Sequence, residues 1–140
     1  MGLLPMGADI LPPSDDRVFK LILTSPEAKQ GLMNLISSII GRTVVDVVLL
    51  PNELAPGDTE EKAERFDVNC KIDDGSQVNL EMQASYMVED LGGQHLNLKG
   101  KSIYYLTDLH SSQPAKGLRR YDRLARSYQI TFCSYTIFPN

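Results

Sequence analysis

Apolar positions recur along this chain at two periods, and the switches between them predict its elements. In DDRVFKLIL, residues 15–23, Val18, Phe19, Ile22 and Leu23 fall on one side of a helix. Ser14 precedes it as a capping residue, with Asp15 and Asp16 over the positive helix end. SPEAKQGLMNLISSIIGR starts a second helix, with Ser25 as N-cap, Pro26 at the first helical position and Glu27 in the first turn. Its stripe is Leu32, Leu35, Ile36, Ile39 and Ile40, and Gly41 stops it. TVVDVVLLP is a β-branched strand ended by Pro51, followed by a polar, acidic loop over 51–63. ERFDVNCKI and SQVNLEMQA alternate as two strands around DDG. Residues 84–98 show no clear period, and Gly92-Gly93 is a loop signal. KGKSIYYLTDLHSSQ returns to helical spacing, with Ile103, Leu106, Leu109 and Tyr104 on one side. GLRRYDRLARS reads as a turn or short helix, and YQITFCSYTIF as a last strand. The order ααβββαβ predicts an α/β domain, a mixed central sheet with an antiparallel hairpin (about 65–72 and 76–84), flanked by helices.

The register of that hairpin carries the chemistry. Phe66, Val68, Cys70 and Ile72 face one way on the first strand, as do Val78, Leu80 and Met82 on the second; Asn79, Glu81 and Gln83 face the other. A two-residue Asp74-Gly75 turn would set apolar groups against polar ones along the whole ladder. A three-residue Asp73-Asp74-Gly75 loop with Gly75 at positive φ pairs like with like, and places Asp67 opposite Glu81. Directly opposed residues have Cβ atoms about 5 Å apart, and like charges there repel unless something positive intervenes. Arg65 and Lys71, on the same face, would partly neutralise the pair; a divalent cation with oxygen ligands at about 2.1 Å would do so better. From alternation alone, a solvated acid pair and a metal site both remain open.

The chain has 140 residues, 42% hydrophobic and 23% charged, the proportions of one globular domain. Residues 1–14 read as a flexible lead-in without a signal peptide's basic n-region, and no apolar run approaches the ~20 residues of a membrane span. Cys70 and Cys133 form neither a disulfide framework nor a zinc pattern, and buried free thiols suit a cytoplasmic protein. His95 and His110 have no ligand spacing. The net charge of −4 argues against a purely charge-driven nucleic-acid binder. Its distribution is polarised: seven basic residues against two acids between Lys99 and Arg126, seven against sixteen before Lys99. The DDG turn lacks the spaced acids and final Glu of an EF-hand.

FDV, a short DG turn and then VNLEMQ resemble the PD-(D/E)xK nuclease superfamily. With DDRVFKLIL, IYYLTDL and GLRRYDRLARSYQITF, the chain over roughly 15–138 is similar to the PD-(D/E)xK family of transposases, also called recombination-promoting nucleases. The resemblance implies a restriction-endonuclease-like core over 15–140 and a metal-dependent DNA endonuclease using Mg²⁺ or Mn²⁺. In that reading Asp67 and Glu81 are metal ligands, with the main-chain carbonyl of Met82 a third. Gln83 stands where the superfamily usually has Lys. It can orient water, but it carries no charge to stabilise a developing anion. Asp16 is either a further site acid or a helix-terminal acid. Lys20, one turn on, is either the missing cation or a solvated lysine. Lys99, Lys101, Lys116, Arg119, Arg120 and Arg123 would contact DNA phosphates, and Tyr104, Tyr105 and Tyr121 are core residues or base-stacking ones. Family members usually have more chain after the last strand, so a truncated C-terminus is expected. Cutting two strands suits a homodimer, though no residue pattern specifies one. The rival expectation is a weak or inactive nuclease-fold module that binds DNA or protein, favoured by Gln83 and the acidic balance.

Overall fold

The computed structural model describes residues 10–13, 15–50, 68–83, 94–113 and 120–134. The first helix, α1 (Asp16–Thr24), is capped by Asp15, whose carboxylate accepts from the backbone N–H groups of Arg17 and Val18. Such a cap is worth about 1 kcal/mol. It sits one residue later than the expected Ser14, which lies outside the described residues. Ser25 is extended and makes no side-chain cap bond. Pro26–Ala28 form a 3-10 turn before α2 (Lys29–Ile40) begins. Gly41 ends α2 in the left-handed region at φ +74°, as the sequence predicts.

Four strands form one sheet in the order β1 (Val47–Leu49), β2 (Val68–Ile72), β3 (Gln77–Gln83), β4 (Ser127–Cys133). β1–β2 and β2–β3 are antiparallel; β3–β4 is parallel, with α3 (Gln94–Ser111) in the connection between them. The hairpin takes the three-residue loop: Val68 pairs with Leu80, Cys70 with Val78, and Gly75 lies at φ +87°. Asp67 lies outside the described residues, so the ladder is described only up to the pair before it. β1 is shorter than TVVDVVLLP suggested. Val47 pairs with Ile72, the last residue of β2, so residues 43–46 run beyond the end of their partner.

One face of the sheet is apolar. Val68, Cys70, Ile72, Val78 and Leu80 pack there against Phe19 and Leu23 of α1 and Leu32, Met33 and Ile36 of α2. Phe19 and Phe132 meet with ring centroids 5.6 Å apart. Ile22 and Ile39, expected in the stripes, are exposed, and Met33 takes a buried place the sequence reading did not assign it. Arg42, just after α2, binds the turn carboxylates of Asp73 and Asp74, fixing α2 to the hairpin. The other face of the sheet is polar and is covered over β3 and β4 by α3.

The expected phase of α3 is corrected here. Ile103 and Tyr104 are 54% and 63% exposed; of the expected stripe Leu109 is half-buried, and it shares that state with Leu98, Lys101, Ser102 and Tyr105. An apolar stripe is needed only against an apolar surface; α3 meets the polar side of the sheet. No described helix is long and apolar enough to cross a membrane.

Candidate active site

β3, like β2, has a neighbour on each side, and α3 covers its polar face, so its polar positions are carried into the interior. Asn79 is 4% exposed and Glu81 9%. A carboxylate so deep costs several kcal/mol unless a cation or donors meet it. α3 supplies the cation. Lys101 Nζ donates to Glu81 Oε1 at 2.5 Å and to Gln83 Oε1 at 3.2 Å. The same ammonium stands 5.6 Å from the ring centroid of Tyr105, one turn further along α3. Glu81, Gln83 and Lys101 thus form one cluster, built by alternation along β3 and by the inward phase of α3.

Amides extend the cluster along the sheet. Asn79 Nδ2 donates to Gln129 Oε1 at 2.7 Å, and Gln129 Nε2 to Thr131 Oγ1 at 3.4 Å. Asn79 Oδ1 is fully buried and has no partner among the described residues. Cys133 pairs with Gln83 across the parallel ladder. Burial first, then the charge of Glu81, hold its thiol above the usual range, with Lys101 pulling the other way.

The donor chemistry fits a hard divalent cation. Glu81 offers carboxylate oxygens, Gln83 and Asn79 offer amide oxygens beside their N–H donors, and the Asn79 carbonyl is buried without a partner among the described residues. Among the described residues no three His, Cys, Asp or Glu side chains gather in one place. Asp67, the proposed second carboxylate, lies outside them.

The other expected site residues are dispersed. Asp16 opens α1, and its side chain is outside the described set. Lys20 is half-buried on α1, which packs on the opposite, apolar face of the sheet, and no described hydrogen bond or ion pair joins it to Glu81 or Gln83. The Met82 side chain packs against the core, which leaves the expectation for its main-chain carbonyl untouched. Lys99 and Arg123 are exposed, Arg120 is bound by Asp122 at 2.7 and 2.9 Å, and Lys116 and Arg119 lie outside the described residues. Lys101, expected on DNA, instead meets the carboxylate. The signal for this was its spacing from Tyr105 and Leu109, which phases a lysine onto the inward face.

No curated protein and no solved structure matches the chain. One family model matches, that of the PD-(D/E)XK nuclease family transposases, and the α/β order and mixed sheet are consistent with its fold. That model matches residues 13–140, nearly the full length, and the chain belongs to this family.

Proposed function

We propose that the domain is a metal-dependent DNA endonuclease of a transposase or recombination-promoting nuclease, hydrolysing phosphodiesters. The observation that carries this reading is the Glu81–Lys101–Gln83 cluster, a buried acid and an amide on the central strand sharing one ammonium. Continued by one residue, the hairpin register would bring Asp67 opposite Glu81. Asp67, Glu81 and the main-chain carbonyl of Met82 would hold Mg²⁺ (or Mn²⁺), which supplies Lewis-acid polarisation of the phosphate and a water of lowered pKa. Gln83 orients the attacking water through its amide. Lys101, rather than Lys20, supplies the positive charge that Gln83 lacks, and stabilises negative charge developing on the phosphate. Asp16 would add a further acid from the start of α1. DNA would be the partner, its backbone met by the exposed Lys99, Arg123 and Arg126.

A plasmid-nicking assay with Mg²⁺ and Mn²⁺ tests this. Cleavage is expected from the parent chain, with loss in Asp67→Ala and Glu81→Ala and a fall of at least a hundredfold in Lys101→Met, about the effect of removing one charge-stabilising donor. The same ammonium contact favours a second reading. A lysine already seated on the acid suits a nuclease-fold module that binds DNA or protein without cutting. Under that reading no form nicks the plasmid, and Mg²⁺ leaves the melting temperature unchanged.

A further inference from the structure

We propose that Lys101 is a latch on the Glu81 site: its ammonium occupies the oxygens that a divalent cation would take, and the ring of Tyr105 is the positioning group that receives it when such a cation displaces it. The inference rests on the reading of Glu81 as a metal ligand and adds how access to that ligand is controlled.

The ammonium already sits where a cation would. Glu81 and Gln83 are two positions apart on β3, so their side chains leave the same face of the strand. Lys101 Nζ bridges them, 2.5 Å from Glu81 Oε1 and 3.2 Å from Gln83 Oε1. A hard divalent cation takes the same donor types, a carboxylate and an amide oxygen. An ammonium has three N–H donors, and among the described residues these two oxygens are the only ones it meets.

The seat does not hold both charges. The Lys101 and Glu81 side chains keep only 23% and 12% of their exposure, so little water stands between them to screen a second positive charge. Burial and the charge of Glu81 hold the Cys133 thiol protonated beside them, so it adds no compensating anion. An ammonium and a divalent cation on one carboxylate repel each other. The cation therefore gains the seat only in molecules where the lysine has left it, and its apparent affinity falls by that fraction.

Tyr105 gives the lysine a second place. It follows Lys101 by four residues, one turn along the inward side of α3, and is half-buried. Its ring centroid is 5.6 Å from Nζ, near the outer limit of about 6 Å for a cation–π contact, so the contact tightens as the stem swings off Glu81. Tyr104 meets the same ring edge-on at 5.9 Å and fixes its plane. The released ammonium stays beside the site, where the charge of a bound phosphate can draw on it.

Titration of Mn²⁺ alone, read by the electron paramagnetic resonance signal of the free ion, tests the latch. Lys101→Met should bind Mn²⁺ about tenfold more tightly than the parent, because its seat is open in every molecule. Lys101→Gln, also uncharged, gives the same reading should Lys101→Met fail to fold, and Lys101→Arg, which keeps a cation on Glu81, should stay near the parent. Tyr105→Leu removes the receiving ring and should weaken binding about threefold, Tyr105→Phe should match the parent, and in the Lys101→Met background Tyr105→Leu should change nothing. Lys29→Ala, which removes one charge from an exposed pair with Asp46, should leave affinity within about twofold. Lys101→Met would then bind metal better while cutting worse, a split that a merely structural ion pair does not produce. Equal Mn²⁺ affinity in the parent and Lys101→Met, or a gain matched by Lys29→Ala, overturns the latch and leaves the metal reading of Glu81 standing. Mn²⁺ that binds neither form, or binds Glu81→Gln as well as the parent, overturns both. A Tyr105→Leu form that behaves like Tyr105→Phe overturns the role of the ring.

Discussion

Replacing Lys101 by Met keeps the length of the side chain and removes its charge. The Glu81 carboxylate then stays in the sheet with its cation gone. Breaking a fully buried pair costs about 3–5 kcal/mol. Here the Lys101 and Glu81 side chains keep 23% and 12% of their exposure, so water screens part of the loss, and about 2 kcal/mol is the reasonable magnitude. For a chain of 140 residues the unfolding entropy near the midpoint is about 0.3 kcal/mol/K, which converts that loss to a fall of about 7 °C in Tm. The assay is a double-mutant cycle by urea and thermal melts: parent, Lys101→Met, Glu81→Gln and the pair. The two residues touch, so the losses should not add. In the Glu81→Gln background Lys101→Met should cost little, giving a coupling of about 1.5–2 kcal/mol. Equal losses in both backgrounds would refute the idea that Lys101 is the counter-charge of Glu81. The same measurement with Mg²⁺ adds a second readout, because a cation on Glu81 would replace the missing ammonium and raise the Tm of Lys101→Met more than that of the parent.

Other expectations concern the frame around the site. Gly75→Ala puts a side chain at φ +87°, where the nearest atom to a new Cβ, Ala125 Cβ, is 4.0 Å away; the cost is conformational, about 1–2 kcal/mol in a urea melt, and an unchanged midpoint would contradict the turn. Asp73 is held below the usual carboxylate range by its hydrogen bonds from Arg42, and Asp74 by its bonds to Ser76 and then by Arg42. Depressed acids stabilise fully above their unfolded value of about 3.9 and lose that contribution as pH falls through the folded value. Arg42→Ala should therefore flatten the acid limb of a stability–pH curve below about pH 4, and an equally steep limb would count against the cluster. Burial pushes the Cys70 thiol up to about 12, so unfolded chains ionise first and stability drains as pH rises above about 8.5. By pH 10 the loss is roughly 2 kcal/mol, and Cys70→Ala should be spared it in urea melts across that range.

The hairpin was legible because two independent signals agree on it. Alternation along Val78–Gln83 and a glycine suited to positive φ at residue 75 select the same register, and that register sends Glu81 and Gln83 to one face. The partner of Glu81 was not legible in the same way. Helix phase is inferred by assuming that apolar residues point inward; Leu109 obeys that rule, but Ile103 and Tyr104 satisfied it on the wrong side. α3 packs on a sheet face made of Asn79, Glu81, Gln83, Gln129 and Thr131, which rewards a lysine and a tyrosine more than a leucine stripe. The same logic misplaced Ile22 and Ile39, since α1 and α2 each bury a narrower strip than their sequences offer. The 43–46 stretch failed as strand for another reason: strand propensity is local, whereas a ladder needs a partner of equal length.

The parallel pairing of β3 with β4 also sets an order of assembly. Ile72 meets Ser76 across a three-residue loop, whereas Gln77 meets Ser127 fifty positions away. Closing the longer loop costs about 2 kcal/mol more in chain entropy, and contacts of that range form late. A ribosome also delivers residue 133 long after residue 81. The β2–β3 hairpin and the α1–α2 face are therefore expected to form while Glu81 is still open to water, with α3 and β4 settling over it last. The Glu81 cluster would thus stay incomplete through most of synthesis, because its counter-charge arrives with α3, and Gln129 and Thr131 of its amide network only with the final strand.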